Sequence, residues 1–316
     1  MTINKISIHH LVESTGIPDL FVRRESFEER AEVVLRALLG ASPDHTSICS
    51  IRSRGRASSV DASRFMRADL LEIAIDDPVG ISAVLRECAQ RVAELPADAV
   101  TLVDITAFRR EELLILLRML AHHSRPDSTV FLVYVPAASY ADDWLSRGVI
   151  ECRPVVGFPG NHGAAEPDHL VLMLGFELDR AQALVDFYEP ARVSIGRGSF
   201  SRSILPQFYE RNQRVFDAFL AYAVPSEANQ FEFAPEDPLG TAEAIEAALS
   251  SAPGHNHIIA PLNNKISVLG AGLVGLKRPE VQVCYAAAAE YNESGYSTPA
   301  DYAYVMRLNE LLRPAI

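Results

Sequence analysis

The chain has few of the residues that mark disulfide-rich, zinc-binding and membrane proteins. Its four cysteines, Cys49, Cys88, Cys152 and Cys284, lie far apart and form no Cys-x-x-Cys pair. A disulfide scaffold or a structural zinc site is therefore not expected, and reduced, buried thiols are the simplest interpretation. No apolar run approaches the roughly 20 residues that cross a bilayer, and the N-terminal segment lacks the apolar core of a signal peptide. We therefore expect a cytoplasmic protein without a membrane segment.

Positive charge is also scarce. The 316 residues include 29 Lys and Arg against 41 Asp and Glu, which gives a formal net charge of −12. A field of that sign repels nucleic acid and anionic membrane surfaces, so a general nucleic-acid coating role is not expected. Hydrophobic residues make up 48% of the chain, which is ordinary for a globular protein. An anionic ligand would therefore need a local cluster of basic residues.

The common catalytic motifs are missing as well. The sequence contains no Gly-x-Ser-x-Gly, no His-Glu-x-x-His and no Walker A motif. His255 and His257 flank the start of a predicted strand, but the sequence names no third metal ligand. We therefore predict no metal and no cofactor.

An internal repeat is the main feature that is present. Residues 71–85 read LEIAIDDPVGISAVL, and residues 231–245 read FEFAPEDPLGTAEAI, at an offset of 160. Residues 130–141, VFLVYVPAASYA, likewise resemble residues 281–292, VQVCYAAAAEYN. Several such pairs in the same order indicate a duplication. We predict one half over residues 1–150, a Pro- and Gly-rich linker over 151–167, and a second half over 168–316.

Short apolar runs alternate with amphipathic stretches in both halves, which is typical of a parallel sheet covered by helices. The predicted fold class is α/β, with two tandem Rossmann-like, doubly wound parallel-sheet halves that arise from duplication. The predicted strands are 47–52, 71–75, 100–105, 130–135, 170–174, 193–195, 231–234, 257–261 and 281–285. The predicted helices are 27–39, 79–95, 109–121, 178–188, 205–222, 241–251 and 265–276.

Residues 265–275, KISVLGAGLVG, match the Gly-x-Gly-x-x-Gly fingerprint of dinucleotide-binding proteins. Only three residues separate Gly275 from Pro279, and the next predicted strand begins near Val281. A crossover connection needs at least roughly 10–12 residues, so no crossover helix fits after this motif. We therefore predict that the segment is itself a helix, in which the glycines allow close packing.

A candidate anion site follows one strand of the first half. Asp104 and Thr106 come at the end of the strand, and Arg109 and Arg110 open the next helix. A helix N-terminus with two guanidinium groups suits a phosphate, and Asp104 could accept from a ribose hydroxyl. The alternative is a helix cap at Thr106 and an ordinary Asp–Arg pair.

The second half offers weaker candidates. Asn264 and Lys265 occupy the place equivalent to the two arginines, where Asn264 could equally be a routine cap. Glu177 and Arg180 follow another strand, with an ion pair as the default interpretation. The backbone amides of the loop predicted around Gly196, Gly198 and Arg202 could wrap an anion.

Residues 104–110, Asp-Ile-Thr-Ala-Phe-Arg-Arg, are similar to the [Asp/Asn]-x-[Ser/Thr]-x-x-x-[Arg/Lys] pattern of CRISPR-associated Rossmann-fold (CARF) sensor domains. The resemblance implies that Asp104, Thr106 and Arg110 contact a cyclic oligonucleotide, which these domains usually bind across the two-fold axis of a dimer. The chain then looks like such a pair fused in one polypeptide. The second half lacks the motif. A role in bacterial antiviral defence is implied by the same resemblance.

Three hypotheses follow. The first is a non-catalytic sensor that binds a nucleotide-like or other phosphorylated ligand and signals to a protein partner. The second is an enzyme acting on a nucleotide or phosphosugar, with Asp104 or Glu177 as acid or base. The third is a scaffold subunit of a larger complex.

Overall fold

The computed structural model describes residues 3–41, 43–55, 61–74, 77–222 and 228–313. Its strands are β1 (Asn4–Ser7), β2 (Leu20–Arg24), β3 (Ser47–Ser53), β4 (Arg67–Ile73), β5 (Val100–Asp104), β6 (Thr129–Tyr134), β7 (Ala137–Tyr140), β8 (Ser146–Pro159), β9 (Asp168–Met173), β10 (Arg192–Gly198), β11 (Ala228–Phe233), β12 (Asn256–Pro261), β13 (Gln282–Tyr291), β14 (Ser297–Pro299) and β15 (Tyr302–Arg307). Its α-helices are α1 (Leu11–Thr15), α2 (Val33–Gly40), α3 (Pro78–Glu94), α4 (Arg110–His123), α5 (Leu178–Tyr188), α6 (Pro206–Leu220), α7 (Pro238–Ser250), α8 (Lys265–Lys277) and α9 (Leu308–Leu312).

The chain divides into two compact units. Among the described residues, unit 1 comprises those within 3–141 and 293–313, and unit 2 comprises those within 142–292. Within the described residues, the main sheet of unit 1 has the order β1-β15-β6-β5-β2-β3-β4, and that of unit 2 has the order β11-β10-β9-β12-β13-β8. β7 and β14 form a separate two-stranded sheet.

Both units contain the same five-stranded parallel arrangement. The order β4-β3-β2-β5-β6 in unit 1 matches β11-β10-β9-β12-β13 in unit 2, and neighbouring strands are parallel throughout. In each unit the first three strands of this set lie side by side in chain order, and the next two lie on the other side of the first strand. This strand order is Rossmann-like. The predicted fold class is confirmed.

Helix starts also repeat between the units. Asp77 accepts a hydrogen bond from the Gly80 amide, and Asp237 accepts one from Leu239. A proline follows each aspartate at the first helical position, where its missing N–H group carries no cost. These caps explain the similarity of residues 71–85 and 231–245. Residues 75 and 76 of the first segment, including the end of the predicted strand 71–75, lie outside the described residues.

The repeats and the folded units do not coincide, because one strand of each repeat joins the sheet of the other unit. β8 follows β7 in the chain but pairs antiparallel with β13 in unit 2. β15 ends the second repeat but pairs antiparallel with β6 in unit 1. Unit 2 is thus an insertion between β7 and β14. These two strands pair with each other, and just beyond them Ala141 N donates to Tyr296 O at 3.0 Å.

The predicted linker over 151–167 is therefore wrong for residues 151–159, which lie in β8. Its Pro154, Gly157 and Pro159 are residue types typical of loops. β8 is an edge strand with register irregularities, and prolines and glycines are tolerated at such positions. Residues 293–313, assigned to the second half, belong instead to unit 1.

The glycine-rich segment forms helix α8, as predicted. A Cβ on Gly270 would lie 2.7 Å from the Pro238 carbonyl oxygen, and one on Gly275 would lie 2.6 Å from Phe158. The glycines therefore let α8 approach its neighbours closely. Ala271 and Val274 of the same helix join a core cluster of unit 2 with Val171 and Ile259.

Candidate functional site

The sheet of unit 1 reverses its strand order between β2 and β5. Ligands of doubly wound sheets bind outside the carboxyl ends of the strands at such a point. Arg23 and Asp104 are paired in register on these two strands, close to their carboxyl ends. The predicted site residue Asp104 ends β5, and Thr106, Arg109 and Arg110 follow it, so all four lie at this edge.

The loop after β5 is held by buried hydrogen bonds. Asp104 is only 2% exposed and accepts from the Thr106 amide at 3.0 Å. The Thr106 hydroxyl accepts from the Val135 amide at 3.0 Å, so it ties this loop to the end of β6. Burial raises the pKa of Asp104 to about 6, although the Thr106 hydrogen bonds and the charges of Arg23 and Arg30 act in the opposite direction. Asp104 is therefore a carboxyl group in a fixed position whose ionised form is disfavoured by burial.

The two arginines open helix α4, but the cap differs from the predicted alternative. Arg109 is the N-cap residue, and its amide donates to the Glu112 carboxylate at 2.9 Å. Thr106 lies three residues before the cap position, and its hydroxyl accepts from the Val135 amide instead. Arg110 is the first residue of the helix and is partly buried. The described geometry thus places the helix N-terminus and both arginines at the same edge as Asp104.

Arg23 and Arg24, at the end of β2, also lie at this edge but are not among the site residues predicted from the sequence. Arg23 pairs with Glu32, and the Arg24 Nε donates to Glu112 at 3.1 Å. All five residues of β2 are buried. Burial would raise the pKa of Glu112, but the charges of Arg24 and Arg109 outweigh it and hold that pKa below its usual value. The sequence does not predict β2 because the strand ends in two consecutive arginines, whereas buried strands are normally apolar throughout.

The equivalent point of unit 2 is closed by backbone packing. A Cβ on Gly175, after β9, would lie 2.1 Å from the carbonyl oxygen of Leu262, after β12. Asn263 Nδ2 donates across the same point to Leu174 O at 2.6 Å. Asn264 caps α8 by accepting from the Ser267 amide at 3.0 Å, which confirms the cap interpretation, and Lys265 begins the helix. The two halves are therefore asymmetric at this edge.

Glu177 and Arg180 form the buried ion pair that was the default interpretation. Arg180 Nη1 lies 3.0 Å from the Glu177 carboxylate, and its Nε donates to Ala286 O at 2.9 Å. The Ser146 hydroxyl at the start of β8 donates to the same carboxylate. These three side chains therefore connect β8 and β13 to the start of α5.

Unit 1 contains the same cluster from equivalent positions. Arg30 pairs with Glu28, and its Nε donates to the Ser297 hydroxyl at 2.9 Å. Its Nη1 donates to Val135 O at 3.2 Å, just as the Arg180 Nε donates to Ala286 O, the equivalent carbonyl of unit 2. The duplication thus preserved a buried Glu–Arg–Ser cluster in each unit, with the serine drawn from the other repeat.

Gly196 and Gly198 lie in strand β10, so the predicted loop around them is wrong. A Cβ on Gly196 would lie 2.5 Å from the Phe231 ring, and the Gly198 amide donates to Asn212 Oδ1 at 2.9 Å. Arg202 forms ion pairs with Glu236 at 3.0 Å and with Asp237 at 2.9 Å. Packing on β11 therefore accounts for Gly196, and close contact with Pro235, at 2.6 Å from a Cβ on residue 198, accounts for Gly198.

A polar trio of buried and half-buried side chains spans three strands of unit 2. His169 Nε2 lies 2.8 Å from the Ser194 hydroxyl, and His169 Nδ1 lies 3.1 Å from His257 Nδ1. Ser194 and His169 are fully buried, so the nucleophile-like serine has no access to a substrate. Across the described ranges, no three His, Cys, Asp or Glu side chains are grouped as metal ligands.

This trio predicts acid sensitivity of unit 2. Burial lowers the pKa of His169 to about 3 and that of His257 to about 4, against about 6.5 when unfolded. The stability that the neutral imidazoles confer is present above pH 6.5 and is lost as the pH falls toward 4. Urea unfolding at pH 7 and pH 5 should show a smaller loss in His257→Gln than in the unmodified protein. His10→Gln, at an exposed position, should behave like the unmodified protein; an identical loss in all three would contradict the assignment.

No protein-family model and no curated protein sequence matches the chain. Among solved structures, the chain is similar to the crystal structure of the cytoplasmic domain of a prokaryotic cation chloride cotransporter, with 10% identity and a TM-score of 0.25. The match covers 87% of this chain and 98% of that chain. In the part of the chain that the structure describes, no helix combines the length and apolar character that a membrane span requires.

Proposed function

We propose that the chain is a non-catalytic regulatory protein that binds a nucleotide-like anionic ligand at residues 104–110 of unit 1. The observation that carries the proposal is Asp104, a buried carboxylate whose pKa is raised to about 6, at the edge where the strand order reverses. Such a residue costs stability, and residues that cost stability are concentrated at functional sites. In unit 2, the equivalent point is closed by Gly175 and Leu262.

Each residue of the segment has a role that fits such a ligand. The first turn of α4 provides backbone amides and positive potential, and Arg109 and Arg110 add guanidinium groups for a phosphate. Asp104 provides an acceptor for a ribose hydroxyl, and Thr106 holds the loop in place by accepting from the Val135 amide. The similarity of this segment to CARF domains supports a cyclic oligonucleotide as the first ligand to test, and a partner protein in an antiviral system as the receiver of the signal.

A matched pair of variants tests the site. Arg110 and Lys265 are the first residues of equivalent helices in the two units. Thermal unfolding of the full chain should shift upward with at least one member of a panel of nucleotides and cyclic oligonucleotides. Arg110→Ala should lower that affinity about tenfold or more, because a charge-assisted hydrogen bond is lost, whereas Lys265→Ala should leave it unchanged. No shift with any ligand, or equal losses in the two variants, would refute the site.

The raised pKa of Asp104 also favours a second candidate, an enzyme in which this residue is a general acid or base. The same panel distinguishes the two functions. Turnover of a bound nucleotide that is abolished in Asp104→Asn would establish the enzyme. Binding without turnover supports the regulatory protein.

A further inference from the structure

We propose that an aromatic cluster at the carboxyl edge of the unit 2 sheet is a stacking site for a nucleobase. The cluster consists of Phe176, Phe200, Phe208 and Tyr209. Phe176 follows β9, Phe200 follows β10, and the other two lie near the start of α6. Because β9 and β10 are parallel neighbours, their carboxyl ends meet at one edge, where sheets of this class bind ligands.

The rings are held in defined positions, and Phe200 among them remains accessible. The ring centroids of Phe200 and Tyr209 lie 5.1 Å apart at an interplanar angle of 79°, and those of Phe176 and Phe208 lie 5.8 Å apart at 62°. Phe200 is nevertheless 63% exposed. An ordered ring loses little conformational entropy when a ligand stacks on it. Phe200 is therefore the residue on which we place the base.

Polar groups flank the rings on the same edge. The Arg211 guanidinium lies 5.0 Å from the centre of the Phe176 ring, and Arg202, two residues after Phe200, pairs with the carboxylates of Glu236 and Asp237. A nucleobase combines a planar π face with donors and acceptors at its rim. Aromatic rings with adjacent guanidinium and carboxylate groups match both parts, whereas an aliphatic partner would need only an apolar surface.

Phe200 has no aromatic counterpart among the described residues that directly follow β3, and the stacking site does not depend on the proposed function of unit 1. After β3, the strand equivalent to β10, the described residues are Arg54 and Gly55, and neither is aromatic. The chain also provides a matched control. Phe187 is 58% exposed and makes a similar edge-to-face contact with Tyr188, at 4.9 Å. It lies at the end of α5, which starts after the carboxyl end of β9 and so ends near the opposite edge of the sheet.

The test is calorimetry of the full chain with adenosine, guanosine, cytidine and uridine, which carry no phosphate. At least one nucleoside should bind, and Phe200→Ala should lower its affinity by about 5- to 150-fold, the range expected for one stacked base. Phe187→Ala should leave the affinity unchanged. Phe200→Leu keeps apolar area but removes the π face. It should therefore lose affinity as Phe200→Ala does.

Several results would overturn the proposal. They are the absence of nucleoside binding, equal losses in Phe200→Ala and Phe187→Ala, and full affinity in Phe200→Leu. A parallel titration of Arg110→Ala with nucleotides separates this site from the one in unit 1. If Arg110→Ala abolishes nucleotide binding while Phe200→Ala leaves nucleoside binding intact, the stacking site is refuted and the function of residues 104–110 stands.

Discussion

Arg180→Met is expected to lower the free energy of unfolding of unit 2 by about 3–5 kcal/mol. Arg180 is 1% exposed and is the cation of the Glu177 pair. Methionine fills similar space, but it leaves the Glu177 charge buried without its counterion and removes the donors to Ala286 O. Breaking a buried pair from one side costs this much because the remaining charge is uncompensated. Glu177→Gln combined with Arg180→Met should recover part of the loss.

Hydrogen exchange of the full chain shows where the loss falls. In Arg180→Met, protection should fall in β8 and β13, whereas β15 should keep its protection because it belongs to unit 1. Arg30→Met is the matched variant in unit 1, where β15 and β6 should lose protection and β8 should keep it. Loss of protection in β15 in Arg180→Met, or in β8 in Arg30→Met, would refute the exchange of strands between the units.

Much of the fold follows from local patterns in the sequence. The predicted helix 178–188 matches α5. The glycine-rich segment could be assigned to helix α8 because the short spacing after Gly275 leaves no room for a crossover helix. The central strand β2 was missed because Arg23 and Arg24 break its apolar run. Their burial is stabilised by Glu32, nine residues after Arg23, and by Glu112, which is 88 residues from Arg24, and no apolar or alternating pattern indicates either pair.

The exchange of strands was also beyond local reasoning. Ser146 and Ser297 stand at equivalent positions of the two repeats, and each completes a Glu–Arg cluster built by the other repeat. A repeat in the sequence shows which segments are equivalent, but not which copy of a strand fills each sheet. Pairing of β8 with β13 depends on contacts over more than 100 residues of chain, as Arg147 with Glu290 illustrates.

The candidate site was only partly predictable. Strand ends and helix starts can be identified from the sequence, so Asp104, Arg109 and Arg110 were expected together at one edge. Sequence alone could not show that Thr106 bonds to Val135, because that contact links two strands through the sheet. Nor could it show that Asn264 and Gly198 are already used by structural partners, Ser267 and Asn212.

Asp104→Asn is expected to stabilise unit 1 and at the same time to abolish ligand binding. Burial raises the pKa of Asp104 from its usual 3.8 to about 6, so the ionised form costs the folded state about 3 kcal/mol. Asparagine removes the charge but keeps an oxygen that can accept from the Thr106 amide. The gain should therefore approach this value at pH 8, where the carboxylate is ionised in both states.

The pH dependence separates this effect from an ordinary packing change. In the unmodified protein, the folded state holds the Asp104 proton between pH 3.8 and 6 and the unfolded state does not, so this residue's penalty disappears as the pH falls through that range. The advantage of Asp104→Asn should accordingly shrink from pH 8 toward pH 4, as measured by urea unfolding of both proteins. A variant that is less stable than the unmodified protein at pH 8 would show that the carboxylate supports the fold. A more stable variant that no longer binds the ligand would show that unit 1 retains a destabilising acid because the site requires it.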